Sequence, residues 1–561
     1  MRKFLLMTAL ALFMQANQVT QACTNYLITK GASANGHTMI SYAADSHVLY
    51  GELYRWPAMD WASGTMLPVY EWDTGKYLGE IPQVAHTYSV VGNMNEYQVS
   101  IGETTYGGLS KLGSQTGAII DYGSLMYIAL QRSKTAREAI QVMTDLVAEY
   151  GYYSSGESFS IADPNEVWIM EMIGKGEGQK GAVWVALKIP DGYVSGHANQ
   201  ARITTFPLKD KENCIYAPDV VSFARDNGFY EGKDKDFSFS DVYAPVDFGG
   251  ARFCEIRVWS MFNKVNDTMN THWDYAKGVI THKEEHAENT PITKENYATN
   301  RMPLWIKPNR KITVNDMMDF MRDHLEGTEL DMSKDVGAGA NALPYRWRPL
   351  TWEENGQTYC NERATATQQT GFSFVSEMRS EMPNEIGGIH WFGLDDAGST
   401  VYMPLYSSMT DVPKTLERGN GAMMQWSDNS AFWIFNQVSN LAYLRYNLIH
   451  PEIDSLQHSF EKKFVTQIQA VDAGAKALYA NNKSDAQQFV NDFSVNNANA
   501  LVYTWKDFYQ YLFMKYMDGN VKKAIPGEQN PDLYQPGYSP DWYKNVVKQT
   551  GNQFLMPAGA H

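Results

Sequence analysis

The sequence predicts an α+β protein in which stacked sheets are covered by helices, and three observations carry that reading. Short β-patterned runs bounded by turn residues fill the first 200 positions and return near 371–404. Amphipathic helical runs interrupt them at 135–151 and 313–325. After about Met423 the character changes to long helical stretches. Sheets with one apolar face, followed by helices able to close that face, give this order of elements.

The first strand pattern opens at Cys23, where Tyr26 and Ile28 alternate before a turn at 31–36 and a second run at 38–43, a β-hairpin signature. Runs at 88–91 and 98–101 form a second pair, joined through Gly92-Asn93-Met94-Asn95-Glu96. Thr135-Ala136-Arg137-Glu138 reads as a capping box, since the threonine and glutamate can each satisfy the other's orphan backbone donor. Ala136, Ala139, Ile140, Met143 and Val147 then recur at helical spacing until Gly151 stops the run. Strands are expected at 157–162 and 167–173 around Asp163-Pro164-Asn165, and a further hairpin at 182–189 and 193–198 around Pro190-Asp191-Gly192. The apolar stretch 253–259 suits a buried strand or a helix start. Thr313 caps a helix that Gly327 ends. Helices follow at 431–447, 455–479 and 486–517, with breaks at Pro451 and Asn481-Asn482, and a Pro-, Gly- and Tyr-rich tail from Pro526 reads as a wrapping segment.

Ahead of Cys23 the chain has the layout of an export signal: Arg2 and Lys3, an apolar run at 4–14, then Thr20-Gln21-Ala22. Eleven apolar residues fall short of the roughly 20 needed to cross a bilayer. The expected domains are therefore a removable leader (1–22), a catalytic domain (23–420) and a C-terminal helical region with its tail (421–561), in an exported protein that is periplasmic or secreted. A lipoprotein is the rival, in which Cys23 would be acylated, but Thr20 stands where that signal wants a leucine-like residue. Net charge is −16 over 561 residues, and losing Arg2 and Lys3 takes it to −18. Such a surface argues against nucleic acid or an anionic membrane as partner. The four cysteines, Cys23, Cys214, Cys254 and Cys360, match no zinc spacing, and the last three are most simply small buried apolar residues.

Cleavage before Cys23 would leave a thiol and a free α-amine on one residue. A thiol has a pKa near ~8.5 and an α-amine near ~7.7–8, so the amine can accept the thiol proton near neutral pH and return it later to a leaving amine. The remaining requirements are a group to orient the amine, donors for an oxyanion, and a pocket. The residues alone do not choose among the many Asp and Asn side chains.

Cys23-Thr24-Asn25-Tyr26, followed by Gly31, Gly36, Thr38-Met39-Ile40 and Asp45-Ser46, resembles the start of the C69 dipeptidases. These are N-terminal nucleophile hydrolases related to penicillin V acylase and bile salt hydrolase. Gly92 to Glu96, Ile101-Gly102-Glu103-Thr104, Ala198-Asn199-Gln200-Ala201-Arg202-Ile203 and Ala251-Arg252-Phe253 extend the resemblance, in order, over roughly 23–410. It implies a four-layer αββα sandwich with the nucleophile at the start of a central strand. It also implies Cys23 as nucleophile, Asp45 as the group binding its amine, Asn199 as an oxyanion donor, and Arg252 as an arginine near the nucleophile. A second donor, through the backbone, is expected near Asn95. Relatives often carry an arginine where this chain has Tyr42, which supplies no fixed charge.

The expected reaction is hydrolysis of a dipeptide through a thioester, without metal or cofactor, with a small peptide as partner. Glu103 is a candidate for binding the substrate amine. An acylase acting on N-acyl amides is the alternative within the same chemistry: a dipeptide's amine favours an acidic pocket, an acyl chain an apolar one. His282-Lys283-Glu284-Glu285-His286 has the spacing of an inverted zinc-peptidase motif, which needs a buried helix. A non-enzymatic glycan-binding protein, with Trp56, Trp61 and Trp72 as platforms, is the reading from a different class. The C-terminal helices suit either a subunit interface in a homo-oligomer or a lid.

Overall fold

In the computed structural model, residues 23–113, 115–347 and 349–559 are described, so the leader at 1–22 lies outside the described residues. Two large antiparallel sheets organise this mixed fold. The first has seven strands, in the order Trp305–Ile306, Val194–His197, Asn25–Ile28, Thr38–Asp45, Thr370–Met378, Ile389–Leu394 and Met403–Tyr406. The second has eight: Cys214–Tyr216, Ala182–Lys188, Val167–Gly174, Gly156–Ala162, Ser100–Gly107, Met94–Asn95, Val90–Val91 and Arg55–Trp56.

The strand after Cys23 pairs with Thr38–Asp45 in the expected hairpin, Leu27 opposite Ile40. Every residue of Thr38–Asp45 is buried, so both faces of this central strand are covered and its sequence shows no polar alternation. One covering is the second sheet, and the contact between the sheets is polar. Asn25's side-chain amide meets the Ser160 hydroxyl at 3.1 Å, and the Ser100 hydroxyl donates to Ser376 at 2.8 Å. The His197 ring lies between Thr104 and Ser160, 2.7 Å from each. Burial pushes His197 down to about 3, so its ring is neutral and serves as a fixed hydrogen-bonding bridge.

Outside the second sheet lie helices Tyr122–Arg132 and Ala136–Tyr150, whose Leu125, Met143 and Val147 share a core with Ile101, Phe159 and Met170. Thr135 accepts from the Glu138 amide as predicted, but Glu138 reaches back to the Lys134 amide, one residue earlier than a reciprocal cap requires. The stretch around 253–259 resolves as helix, a π turn over Gly250–Glu255 running into Ile256–Val265. Helices Ala431–Leu444, Tyr446–Tyr479 and Lys483–Tyr516 pack on the seven-stranded sheet and share one core with it, from Tyr26 through Trp391 to Trp505. Glu461 accepts from the Tyr402 amide, and Ser494 from Tyr406, so they also anchor the edge of that sheet. Pro451 does not interrupt its helix, whereas Asn482 does start the next one, accepting from Ser484. Among the described residues no helix is long and apolar enough to cross a membrane.

One expected hairpin is overturned. Ala182–Lys188 and Val194–His197 belong to different sheets, and the turn at Pro190-Asp191-Gly192 carries the chain from one to the other. Asp191 accepts from the Gly31 amide at 2.5 Å, fastening this crossing to the first hairpin. The crossing delivers Asn199 to the end of the sheet where Cys23 begins.

Candidate active site

Cys23 is fixed by backbone pairing on its C-terminal side, Thr24 against Ala43, and is buried at 4% exposure. It lines a cavity of 620 Å³ together with Tyr42, Asp45 and Glu103. Sγ lies 3.6 Å from Glu103 Oε1 and 3.8 Å from the Tyr42 hydroxyl, and Tyr42 donates to the same Glu103 oxygen at 2.5 Å. Glu103 projects from the second sheet and Tyr42 from the first, so the sheet-to-sheet contact assembles this trio. Burial, then the charges of Glu103 and Asp45, hold the Cys23 thiol well above its ordinary value. These surroundings favour thiol over thiolate, and activation requires a positive charge or a base at Cys23 itself.

Glu103 is buried beside Glu157, and the two carboxyl groups interact directly. Burial pushes Glu103 up to about 7. Glu157 is raised as well, by burial and then by the charge of Glu103, because two carboxylates this close cannot both ionise cheaply. Asp73, which accepts from the Tyr122 hydroxyl at 2.9 Å, adds a further acidic group to the cavity wall.

Asp45 is fully buried and accepts from Arg363 Nη2 at 2.5 Å and from the Thr370 hydroxyl at 2.7 Å. Burial raises its pKa despite Arg363. Arg363 brings the fixed cation that Tyr42 cannot supply, from a loop more than 300 residues away in sequence.

Arg257 ties Cys23 to Asn199. Its Nη1 donates to the Cys23 carbonyl at 2.6 Å and to the Thr24 hydroxyl at 2.7 Å; its Nη2 donates to the Ala198 carbonyl at 3.0 Å and to Asn199 Oδ1 at 2.9 Å. Asn199 sits at φ +62°, a left-handed conformation that asparagine tolerates better than most residues. Its Nδ2 donates to the Thr105 carbonyl at 2.7 Å, leaving the second amide hydrogen for another acceptor.

Cys23, Asp45 and Glu103 therefore meet in one cavity, and Asn199 joins them through Arg257. Two expected residues do not. Arg252 turns away, pairing through two nitrogens with Glu362 at 2.6 and 2.9 Å and donating to the Lys277 carbonyl. Arg257, five residues further along this π-to-α helix, stands in the place expected of Arg252. The signal was present: Arg257 interrupts the apolar run Ile256, Val258, Trp259, Met261, Phe262, where a buried guanidinium needs a purpose. Asn95 is a turn-former. Its side chain accepts from the Tyr97 and Val99 amides and donates to the Leu130 and Ser133 carbonyls, and its own amide donates to Val99.

The other motifs have local explanations. His282 and His286 lie in irregular chain, paired with the Asn296 and Thr290 carbonyls, not on a helix. Trp56 and Trp72 face the cavity, packed at a tilt around Tyr127 at 4.3 and 4.7 Å, while the Trp61 indole donates to Thr87. Cys214 is buried, and Cys254 and Cys360 are half-buried, all as free thiols.

Residues 55–459 match the family model of peptidase family C69. The probable dipeptidase of Latilactobacillus sakei is 23% identical over 488 residues, covering 84% of this chain and 90% of that protein. The probable dipeptidase of Salmonella dublin is 23% identical over 414 residues, with coverage of 69% and 81%. Dipeptidase A of Lactobacillus helveticus is 22% identical over 378 residues, with coverage of 66% and 67%. The chain belongs to peptidase family C69 and is a peptidase, a hydrolase of peptide bonds.

Proposed function

We propose that this peptidase is an exported cysteine dipeptidase whose nucleophile is created when residues 1–22 are removed. The α-amine of Cys23 takes the thiol proton, and Sγ attacks the first carbonyl of a dipeptide. The tetrahedral oxyanion receives the second amide hydrogen of Asn199, held in place by Arg257. The new α-ammonium returns its proton to the departing amino acid, leaving a thioester that water hydrolyses. Asp45, buried beside Cys23 and braced by Arg363, orients the amine. In this reading the two sheets and their helical coverings are the four-layer αββα arrangement of N-terminal nucleophile hydrolases, and the protein works in the periplasm or outside the cell.

The observation that carries the dipeptidase reading is the 3.6 Å between Sγ and Glu103. In a dipeptide the α-ammonium is only two bonds from the carbonyl under attack, so an anion this close to the sulfur fits an acyl group made of a single amino acid. The cavity's aromatic wall could hold the acyl chain of an N-acyl amide, but four carboxylates, Asp45, Glu71, Asp73 and Glu103, line the same space and favour a cationic substrate group.

N-terminal sequencing with intact mass on the exported protein tests the nucleophile: an unmodified Cys23 at the terminus is expected. A lipid adduct, or undiminished activity with an uncleavable residue ahead of Cys23, sinks the mechanism. A panel of free dipeptides, N-acetyl dipeptides and N-acyl amides tests the substrate, with N-acetylation expected to cost about 100-fold by deleting the ammonium.

A further inference from the structure

We infer that Arg418 receives the C-terminal carboxylate of the substrate and so confines the enzyme to dipeptides; this rests on the dipeptidase reading. Among the described residues, Arg418 is the only basic one lining the cavity, against four acidic ones, and it makes no hydrogen bond or ion pair through its side chain. Its guanidinium lies over the face of Tyr54, 5.5 Å from the ring centre. An exposed arginine without a partner is ordinary on a surface, but the backbone here is held on both sides. The Leu53 amide donates to the Leu416 carbonyl at 2.9 Å, and the Gly419 amide donates to Glu52 Oε1 at 2.6 Å. The segment is thus clamped to the strip leading into Arg55–Trp56, and the guanidinium, whose charge also acts on Glu52, keeps its donors without a hydrogen-bond acceptor among the described residues.

Its place relative to the nucleophile follows from the rings between them. Tyr54 packs against Trp72 at 4.8 Å, Tyr127 at 6.0 Å and Phe372 at 6.5 Å, and Phe372 lies 5.9 Å from Tyr42, whose hydroxyl bonds Glu103. The Tyr127 hydroxyl feels the charges of both Arg418 and Glu103, so one aromatic wall joins the anionic and cationic ends. A free dipeptide carries an ammonium on the near side of the scissile bond and a carboxylate one residue beyond it, about 7 Å apart when extended. Glu103 and Arg418 supply the matching signs on the lining of the same cavity. Arginine presents paired donors that suit a carboxylate, and stacking on Tyr54 limits the freedom lost on binding.

The test compares alanyl-phenylalanine with its C-terminal amide, in the processed wild-type protein and in Arg418→Gln and Arg418→Lys. Wild type is expected to prefer the free acid, and Arg418→Gln to lower kcat/KM for it by about 10–100-fold more than for the amide, chiefly through KM. Lysine should restore some of the preference. Equal hydrolysis of acid and amide by wild type, or a loss in Arg418→Gln that is the same for both, overturns the carboxylate role while leaving the dipeptidase reading intact. Hydrolysis of neither by wild type overturns both.

Discussion

Arg257 Nη1 stands 2.6 Å from the carbonyl oxygen of Cys23, while its other terminal nitrogen holds Asn199. One buried guanidinium therefore fixes the distance between Cys23 and the Asn199 amide, the proposed nucleophile and oxyanion donor.

Replacing Arg257 by lysine keeps a charge but loses the fork. The expected result is a fall in kcat of about 10²–10³-fold with little change in KM, the scale of losing an oxyanion donor. Arg252→Gln, which breaks the pair with Glu362 and the bond to the Lys277 carbonyl, should change kcat/KM less than about tenfold. Steady-state kinetics on both, with melting curves as a fold control, separate the two arginines. A larger loss in Arg252→Gln would reverse their assignment.

Glu103 has a folded pKa of about 7, above its unfolded value, so its protonated form stabilises the fold. That contribution is complete below the unfolded carboxylate range near ~4.3 and is lost as pH rises to about 7. Glu103→Gln should flatten the decline in melting temperature over this window and melt higher than wild type at pH 8. Activity should move the other way. Wild-type kcat/KM rises through pH 7 as Glu103 becomes the anion the ammonium needs, whereas Glu103→Gln raises KM for dipeptides about 10–100-fold at pH 8. Parallel loss of stability and activity in this variant would contradict the ammonium role.

Asp45 and Arg363 form a buried pair whose members need each other. Asp45→Asn removes a counter-charge from a buried guanidinium, at a cost of about 3–5 kcal/mol, and removes activity. Adding Arg363→Met should recover most of the stability and none of the activity. Denaturant unfolding alongside an activity assay reads both outcomes, and returned activity in the double variant would remove Asp45 from the mechanism.

Gly102 is a point of close approach between the two sheets beside the site. A Cβ there would sit 2.6 Å from Asn25 Nδ2 and 3.2 Å from Tyr42 Cβ. Gly102→Ala should cost about 1–3 kcal/mol by overpacking. It should also lower kcat by an order of magnitude or more, because displacements of Cys23 from Glu103 by up to about 1 Å are felt in catalysis. Wild-type kinetics in a destabilised Gly102→Ala protein would show that the sheet spacing does not position the site.

Much of the local structure was readable because its causes are local. The hairpin after Cys23, the Thr135 cap, the stop at Gly151 and the break at Asn481-Asn482 each depend on residues within a few positions of one another. The turn at Asp191 was readable as a turn, but its destination was not. Alternation marks a strand and says nothing about which sheet receives it, so 182–198 read as a hairpin although the two strands go to different sheets.

The sequence by itself determined that a cysteine follows an export-like leader and opens a buried strand, in a chain patterned as stacked sheets closed by helices. Only the tertiary structure decided which charges surround that cysteine. Glu103, Arg257, Arg363 and Arg418 come from separate elements, and Arg252, which motif order favoured, turns out to face Glu362. Secondary structure is written in short-range periodicity and capping, whereas an electrostatic site is made by packing elements hundreds of residues apart, and no local pattern encodes that distance.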